Sequence, residues 1–137
     1  MLTVTLTNAS GARYRGKDLM VKGATLALRG EGVRHGDVGI ILVDDATIKK
    51  MHKQWFNDGS ATDVITFPVV EEPPIEAEIY ISIDTAKRNA ERFGVTLTNE
   101  LCRLAVHGAL HIAGYDDATD ELRTAMHHRE NRYLARL

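Results

Sequence analysis

His107-Gly108-Ala109-Leu110-His111-Ile112-Ala113-Gly114-Tyr115-Asp116-Asp117 is the stretch on which the fold and the chemistry of this chain turn. Two histidines four residues apart lie on one face of a helix, one turn from each other. Their imidazole nitrogens can converge on a single metal ion. Gly114 offers the helix stop, because glycine takes up the left-handed backbone that ends helices at little cost. Beyond it the chain turns back and brings Asp116 and Asp117 toward the histidines. The spacing H-x-x-x-H-x-x-G-x-x-D is that of a hydrolytic metal site with three protein ligands and one open position.

Periodicity fixes the elements around this stretch. Thr98, Leu101, Leu104 and Ala105 open the motif helix, and residues 119–137 form a terminal helix with Leu122, Met126, Arg129 and Tyr133 near one stripe. Upstream, residues 78–83 read as a strand with Ile79, Ile81 and Ile83 on one side; Asp84 or Thr85 then starts a helix to Phe93 that Gly94 stops. Residues 64–70 are a strand, and Pro68, lacking a donor, places it at an edge or a strand end. Residues 71–76, with Pro73 and Pro74, form a loop, as does the polar, glycine-containing run 57–60. Residues 38–43 are another strand; Asp44 or Asp45 caps a helix that carries Ile48, Met51 and Trp55 inward. Residues 17–29 place Leu19, Met20, Gly23, Leu26 and Ala27 at helical spacing, and residues 1–7 alternate as a half-buried strand. Four strands and five helices intermingled predict an α+β class with a small mixed sheet, in one domain over residues 1–137.

Composition bounds the function. No apolar run is long enough to span a membrane, and the first residues do not read as a signal peptide. A lone cysteine, Cys102, excludes an internal disulfide and suits a reducing, cytoplasmic setting; it reads as a small buried apolar residue. The net charge of -2 carries no general attraction for nucleic acid, so any such binding needs a local basic patch. Lys49, Lys50 and Lys53 form one cluster and Lys87, Arg88 and Arg92 another, although both also read as solvated helix faces.

The motif resembles the signature of the YbeY family, H-G-x-L-H-x-x-G-Y-D-H, matched from His107 to Asp116, with Asp117 where the family usually has histidine. Thr62-Asp63-Val64-Ile65-Thr66-Phe67-Pro68 is similar to a second family segment, and Ala77-Glu78-Ile79-Tyr80-Ile81-Ser82 loosely to a third. The resemblance implies a four-stranded sheet packed with helices and a Zn²⁺ ion, or another divalent metal, held at one end of a cleft by His107, His111 and Asp117. Asp116 competes with Asp117 for that role; the family pattern makes it a supporting or capping residue. His127 and His128 read as surface histidines, and His35 and His52 have no partner at metal spacing.

The implied activity is metal-dependent, single-strand-specific endoribonuclease action in 16S rRNA 3′-end maturation and ribosome quality control. Its implied partners are ribosomal RNA and the small ribosomal subunit with its assembly proteins. The rival readings are another metal hydrolase, including a peptidase, and a non-catalytic assembly factor with a structural metal. Gly108 stands where H-E-x-x-H peptidases carry their general base, so a peptidase would need its base elsewhere. Arg103, one turn before His107, is the candidate catalytic arginine: it reaches a phosphate beside the metal, or pairs with Glu100 or a ligand carboxylate. Many family members also have an arginine six residues before the Thr-Asp segment; here that position is Phe56, flanked by Trp55 and Asn57. Trp55 and Phe56 are candidates for stacking on bases, against the alternative that Trp55 is core.

Overall fold

Residues 1–56 and 62–137 are described by the computed structural model; the loop expected at 57–60, with Asn57, lies outside them. The N-terminal alternation becomes β1 (Leu2–Asn8), with Leu2 and Leu6 buried. It is followed by α1 (Lys17–Gly30), β2 (Gly36–Val43), α2 (Asp45–Phe56), β3 (Val64–Val70) and β4 (Ile75–Ser82). Three helices close the chain: α3 (Ile83–Phe93), α4 (Leu97–Ile112) and α5 (Asp120–Leu134). The strands form one mixed sheet in the order β1-β2-β4-β3, with β1, β2 and β4 parallel and β3 antiparallel to β4. Pro68 sits in the edge strand β3, where a missing donor is tolerated, and the register shifts between Pro68 and Val70.

Four details of the sequence reading need correction. β4 starts at Ile75, not Glu78, because pairing with β2 begins at Gly36↔Ile75 and takes up residues assigned to the loop. Ile83 is not in the strand: the Ser82 hydroxyl accepts from the Thr85 amide at 3.2 Å and starts α3 at Ile83, ahead of Asp84 and Thr85. Trp55 is not core but 62% exposed. α2 buries Ile48 against Val43 and Ile65, and its last turn overhangs β3, where Trp55 meets the Phe67 ring edge-on at 5.7 Å. Leu122 on α5 is exposed as well, whereas Met126 and Tyr133 are buried as expected.

The motif helix α4 is the centre of the molecule. Its Thr96 cap accepts from the Asn99 amide at 3.0 Å, and Leu101, Leu104, Ala105, Ala109 and Leu110 are all buried. Burying each leucine contributes about 1.5–3 kcal/mol. Cys102 is buried among them, and desolvation pushes its thiol up to about 11, so it is an inert packing residue. Gly108 lets α4 lie directly on β4: a Cβ there would stand 2.6 Å from Ile79 Cγ2. This contact sets the height of the two histidines over the sheet edge.

Candidate metal centre

His107 and His111 occupy the last two turns of α4. The helix ends in a Schellman motif: the Tyr115 amide donates to the Leu110 carbonyl and the Gly114 amide to the His111 carbonyl, both at 3.0 Å. Gly114 takes φ 105°, which a side chain would strain. The turn carries Asp117 back over the histidines. Asp116 takes the other task, accepting the Asp117 amide on its own carboxylate at 2.7 Å and so shaping the turn.

Three donor atoms converge. His107 Nε2 and His111 Nε2 are 3.0 Å apart, Asp117 Oδ2 is 3.3 Å from the first and Asp117 Oδ1 is 3.7 Å from the second. Two ligands each about 2.0–2.1 Å from a zinc ion stand roughly 3.3 Å apart at the tetrahedral angle. The observed separations bracket that value.

The outer nitrogens decide what the inner ones offer. His111 Nδ1 lies 2.9 Å from the Tyr115 carbonyl, which can only accept, so Nδ1 carries the hydrogen and Nε2 the lone pair. His107 Nδ1 lies 2.6 Å from Glu130 Oε2, a carboxylate of α5 that is 5% exposed. Burial opposes ionisation of Glu130, but His107 and Arg103 outweigh it and hold its pKa below the usual value. Glu130 therefore accepts from Nδ1 and turns the second lone pair inward too. Burial pushes the His107 imidazole down, yet the Glu130 contact prevails and raises it. Burial and the neighbouring His107 hold His111 below its ordinary value. Two nitrogen lone pairs and a carboxylate facing one point repel one another unless a cation sits between them, so the donor set fits a divalent metal.

Arg103 lies against this support. Its guanidinium donates to Glu130 Oε1 at 2.9 Å and to Asn131 Oδ1 at 2.7 Å, so its hydrogen-bonded carboxylate is Glu130 and not Glu100. A second carboxylate, the half-buried Glu31 just after α1, holds the Tyr115 side chain, whose backbone carbonyl takes the other histidine. It accepts from the hydroxyls of Tyr115 and Tyr133 and from Arg129 at 3.1 Å, and Arg129 caps the Tyr115 ring at 4.2 Å. Sequence reasoning missed both glutamates. Glu130 left a signal: it falls between Met126 and Tyr133 on the inward stripe of α5, where a carboxylate needs a partner.

The other histidines stay outside the donor set. His127 is exposed, 3.3 Å from Arg103 Nη1 and 3.6 Å from Glu130 Oε1. His128 is exposed, His35 Nδ1 lies 2.7 Å from the Met1 amino group, and His52 lies beside the Phe56 ring. In the second basic cluster, Arg88 is engaged by Asp45 at 2.7 Å. Two clefts flank the centre. One, of about 610 Å³, is lined by His52, Phe56, Thr66, Pro68 and His111. The other, of about 680 Å³, is lined by Asp63, Asn89, Glu100, Arg103, His107 and Asp117.

A sequence model of the family described as Endoribonuclease YbeY matches residues 13–137. The chain belongs to the YbeY family. It is 41% identical over 119 residues to Endoribonuclease YbeY of Chlorobaculum parvum, covering 87% of this chain and 84% of that one. It is 46% identical over 85 residues to the Nautilia profundicola protein of the same name, covering 61% of each. A solution structure of a Thermotoga maritima protein superposes with a TM-score of 0.63 at 27% identity, over 98% of this chain and 87% of that one. The four-stranded sheet packed with helices that the YbeY resemblance implies is thus the architecture found.

Position 117 is where this chain departs from the family signature within the site. Asp117→Ala is expected to lower metal affinity sharply, Asp117→His to preserve or tighten it, and Asp116→Ala to leave it nearly unchanged. Isothermal titration of metal-stripped protein checks this; a damaging Asp116→Ala beside a silent Asp117→Ala would reverse the two assignments.

Proposed function

We propose that this chain is a metal-dependent, single-strand-specific endoribonuclease that works in the cytoplasm on the 3′ end of 16S rRNA and in ribosome quality control. Zn²⁺ is the metal of choice for its two-nitrogen, one-carboxylate donor set. The carrying observation is the convergence of His107, His111 and Asp117 at the junction of two clefts. A divalent cation there supplies Lewis acidity, lowering the pKa of a water and neutralising charge on phosphate oxygens. His107 and His111 would hold it through Nε2 and Asp117 through its carboxylate, while Glu130 and the Tyr115 carbonyl keep both rings in the required tautomer. Arg103 lines the same cleft as His107 and serves as the phosphate contact, its direction fixed by Glu130 and Asn131.

A peptidase is disfavoured by packing as well as by sequence. Position 108 faces Ile79 and has no room for a side chain, so the glutamate base of the peptidase motif has no place on this helix. The net charge of -2 gives little general attraction for RNA, which assigns recognition to the small subunit and its assembly proteins.

The test is cleavage. Untagged protein loaded with Zn²⁺ is expected to cut single-stranded RNA slowly and to leave casein intact, and a chelator is expected to stop the cutting until metal is restored. RNA cleavage that survives chelation would refute the role of the metal. A metal-loaded protein that binds the small subunit and cuts nothing would point to the assembly-factor alternative.

A further inference from the structure

We propose that the outer end of α2 and the adjoining cleft form a stacking site for an unpaired nucleobase, which holds the strand beside the metal centre. This deepens the endoribonuclease reading and rests on it. Trp55 and Phe56 are 62% and 53% exposed at the end of an otherwise amphipathic helix. Adjacent aromatic rings left in water mark a contact surface. The Phe56 ring lies over Phe67 at 6.1 Å with an interplanar angle of 28°, and Phe67 in turn meets Trp55 at 5.7 Å and Tyr80 at 5.8 Å. His52 stands 5.5 Å from Phe56, one turn earlier. These contacts hold Phe56 from beneath and behind, so little side-chain entropy remains to be lost when a flat ligand lands on it.

Three observations choose a nucleobase as the occupant. The cleft bordered by Phe56 is continuous to His111, so a base at Phe56 and a phosphate at the metal belong to one strand. Lys49, His52, Lys53 and Phe56 follow at spacings of three, one and three residues, which places them on one stripe of α2. Lys49 and Lys53 are exposed there, giving the charge that phosphates require next to the ring that a base requires. Finally, Thr66 and Glu71, with His52 and His111, put hydrogen-bonding groups among the apolar residues of the lining. A paired base presents no open face, so such a site also favours single strands.

The chain contains one tryptophan, Trp55, and its fluorescence therefore reports on this site alone. Short fluorescein-labelled single-stranded RNA is titrated in chelator, so that nothing is cut, while Trp55 emission and label anisotropy are followed together. Wild type is expected to show quenching that saturates with binding, and duplex RNA of the same sequence little of it. Phe56→Ala is expected to weaken binding roughly 5- to 150-fold, the effect of losing one base stack, and Phe56→Tyr to keep it. Thermal unfolding and metal content of both variants should match the parent, because Phe56 is at the surface.

Unchanged binding by Phe56→Ala, or binding that leaves Trp55 emission untouched, overturns the stacking site and leaves this face to a protein partner. Cleavage by the same samples with metal restored is read separately. Absence of quenching in the wild type with normal cleavage refutes only the stacking site. Quenching without cleavage refutes only the nuclease reading.

Discussion

Glutamate at position 108 is expected to leave this protein unfolded, and alanine there to destabilise it by about 1–3 kcal/mol, the usual cost of overpacking a core. A Cβ on Gly108 would lie 2.6, 3.1 and 3.2 Å from three carbons of the Ile79 side chain. Ile79 is fully buried in a central strand and has nowhere to retreat. Helix propensity pulls the other way, since alanine in place of a mid-helix glycine normally gains close to 1 kcal/mol. The steric term is the larger, so the net sign is destabilising. Urea denaturation of Gly108→Ala, Ile79→Ala and the double variant measures the coupling. The double variant should be more stable than the sum of the single losses implies, because each change relieves the other. Full additivity would mean that the close approach of α4 to β4 is not real.

Glu130→Ala is expected to act on stability and on the metal together. It removes the partner of a partly buried guanidinium and of a histidine at once, and losing such a hydrogen bond to a charged group costs about 1.5–3 kcal/mol. It also frees the His107 ring to rotate and to change tautomer, which typically lowers metal affinity about 10–100-fold. Glu130→Gln keeps a hydrogen-bonding shape without the charge and should fall between the two. There is a pH signature as well. The folded-state pKa of Glu130 is depressed below 4.5, so its contribution to stability is complete above that value and is lost as pH falls through the folded-state pKa. Glu130→Gln lacks that loss and should therefore be less acid-sensitive than the parent, as acid titrations of metal-free protein would show. Unaltered metal affinity in Glu130→Ala would remove Glu130 from the site.

Much of this was legible before any coordinates. Short-range physics governs the legible part: the four-residue histidine spacing, the glycine stop, the alternation of β1 and the proline at the edge of β3 all act within one turn or one strand. The metal-site ligands were therefore readable as a candidate set. Trp55 misled because periodicity shows which residues share a helix face but not where the supporting sheet ends, and α2 runs past it. Glu130 and Glu31 were invisible as partners because their meaning depends on residues 23 and 84 positions away, His107 and Tyr115. A sequence displays a buried carboxylate only as an acidic letter on an apolar stripe. The start of β4 was missed for a related reason: strand ends are set by the neighbouring strand's register, which no local pattern carries.

The three candidate ligands are held by unequal means. His107 and His111 are fixed by a helix that Gly108 seats closely on the sheet, and their outer nitrogens are held by Glu130 and the Tyr115 carbonyl. Asp117 comes from a surface turn, its side chain 35% exposed, and nothing in the core is shaped around it. The third position can therefore be exchanged with less disturbance of the packing than the other two. An aspartate there in place of the family's usual histidine lowers the charge of the loaded centre by one unit without moving a single packed atom. The fold thus offers one adjustable coordinate, the net charge at the candidate centre, which a substitution at position 117 would change at little cost to folding.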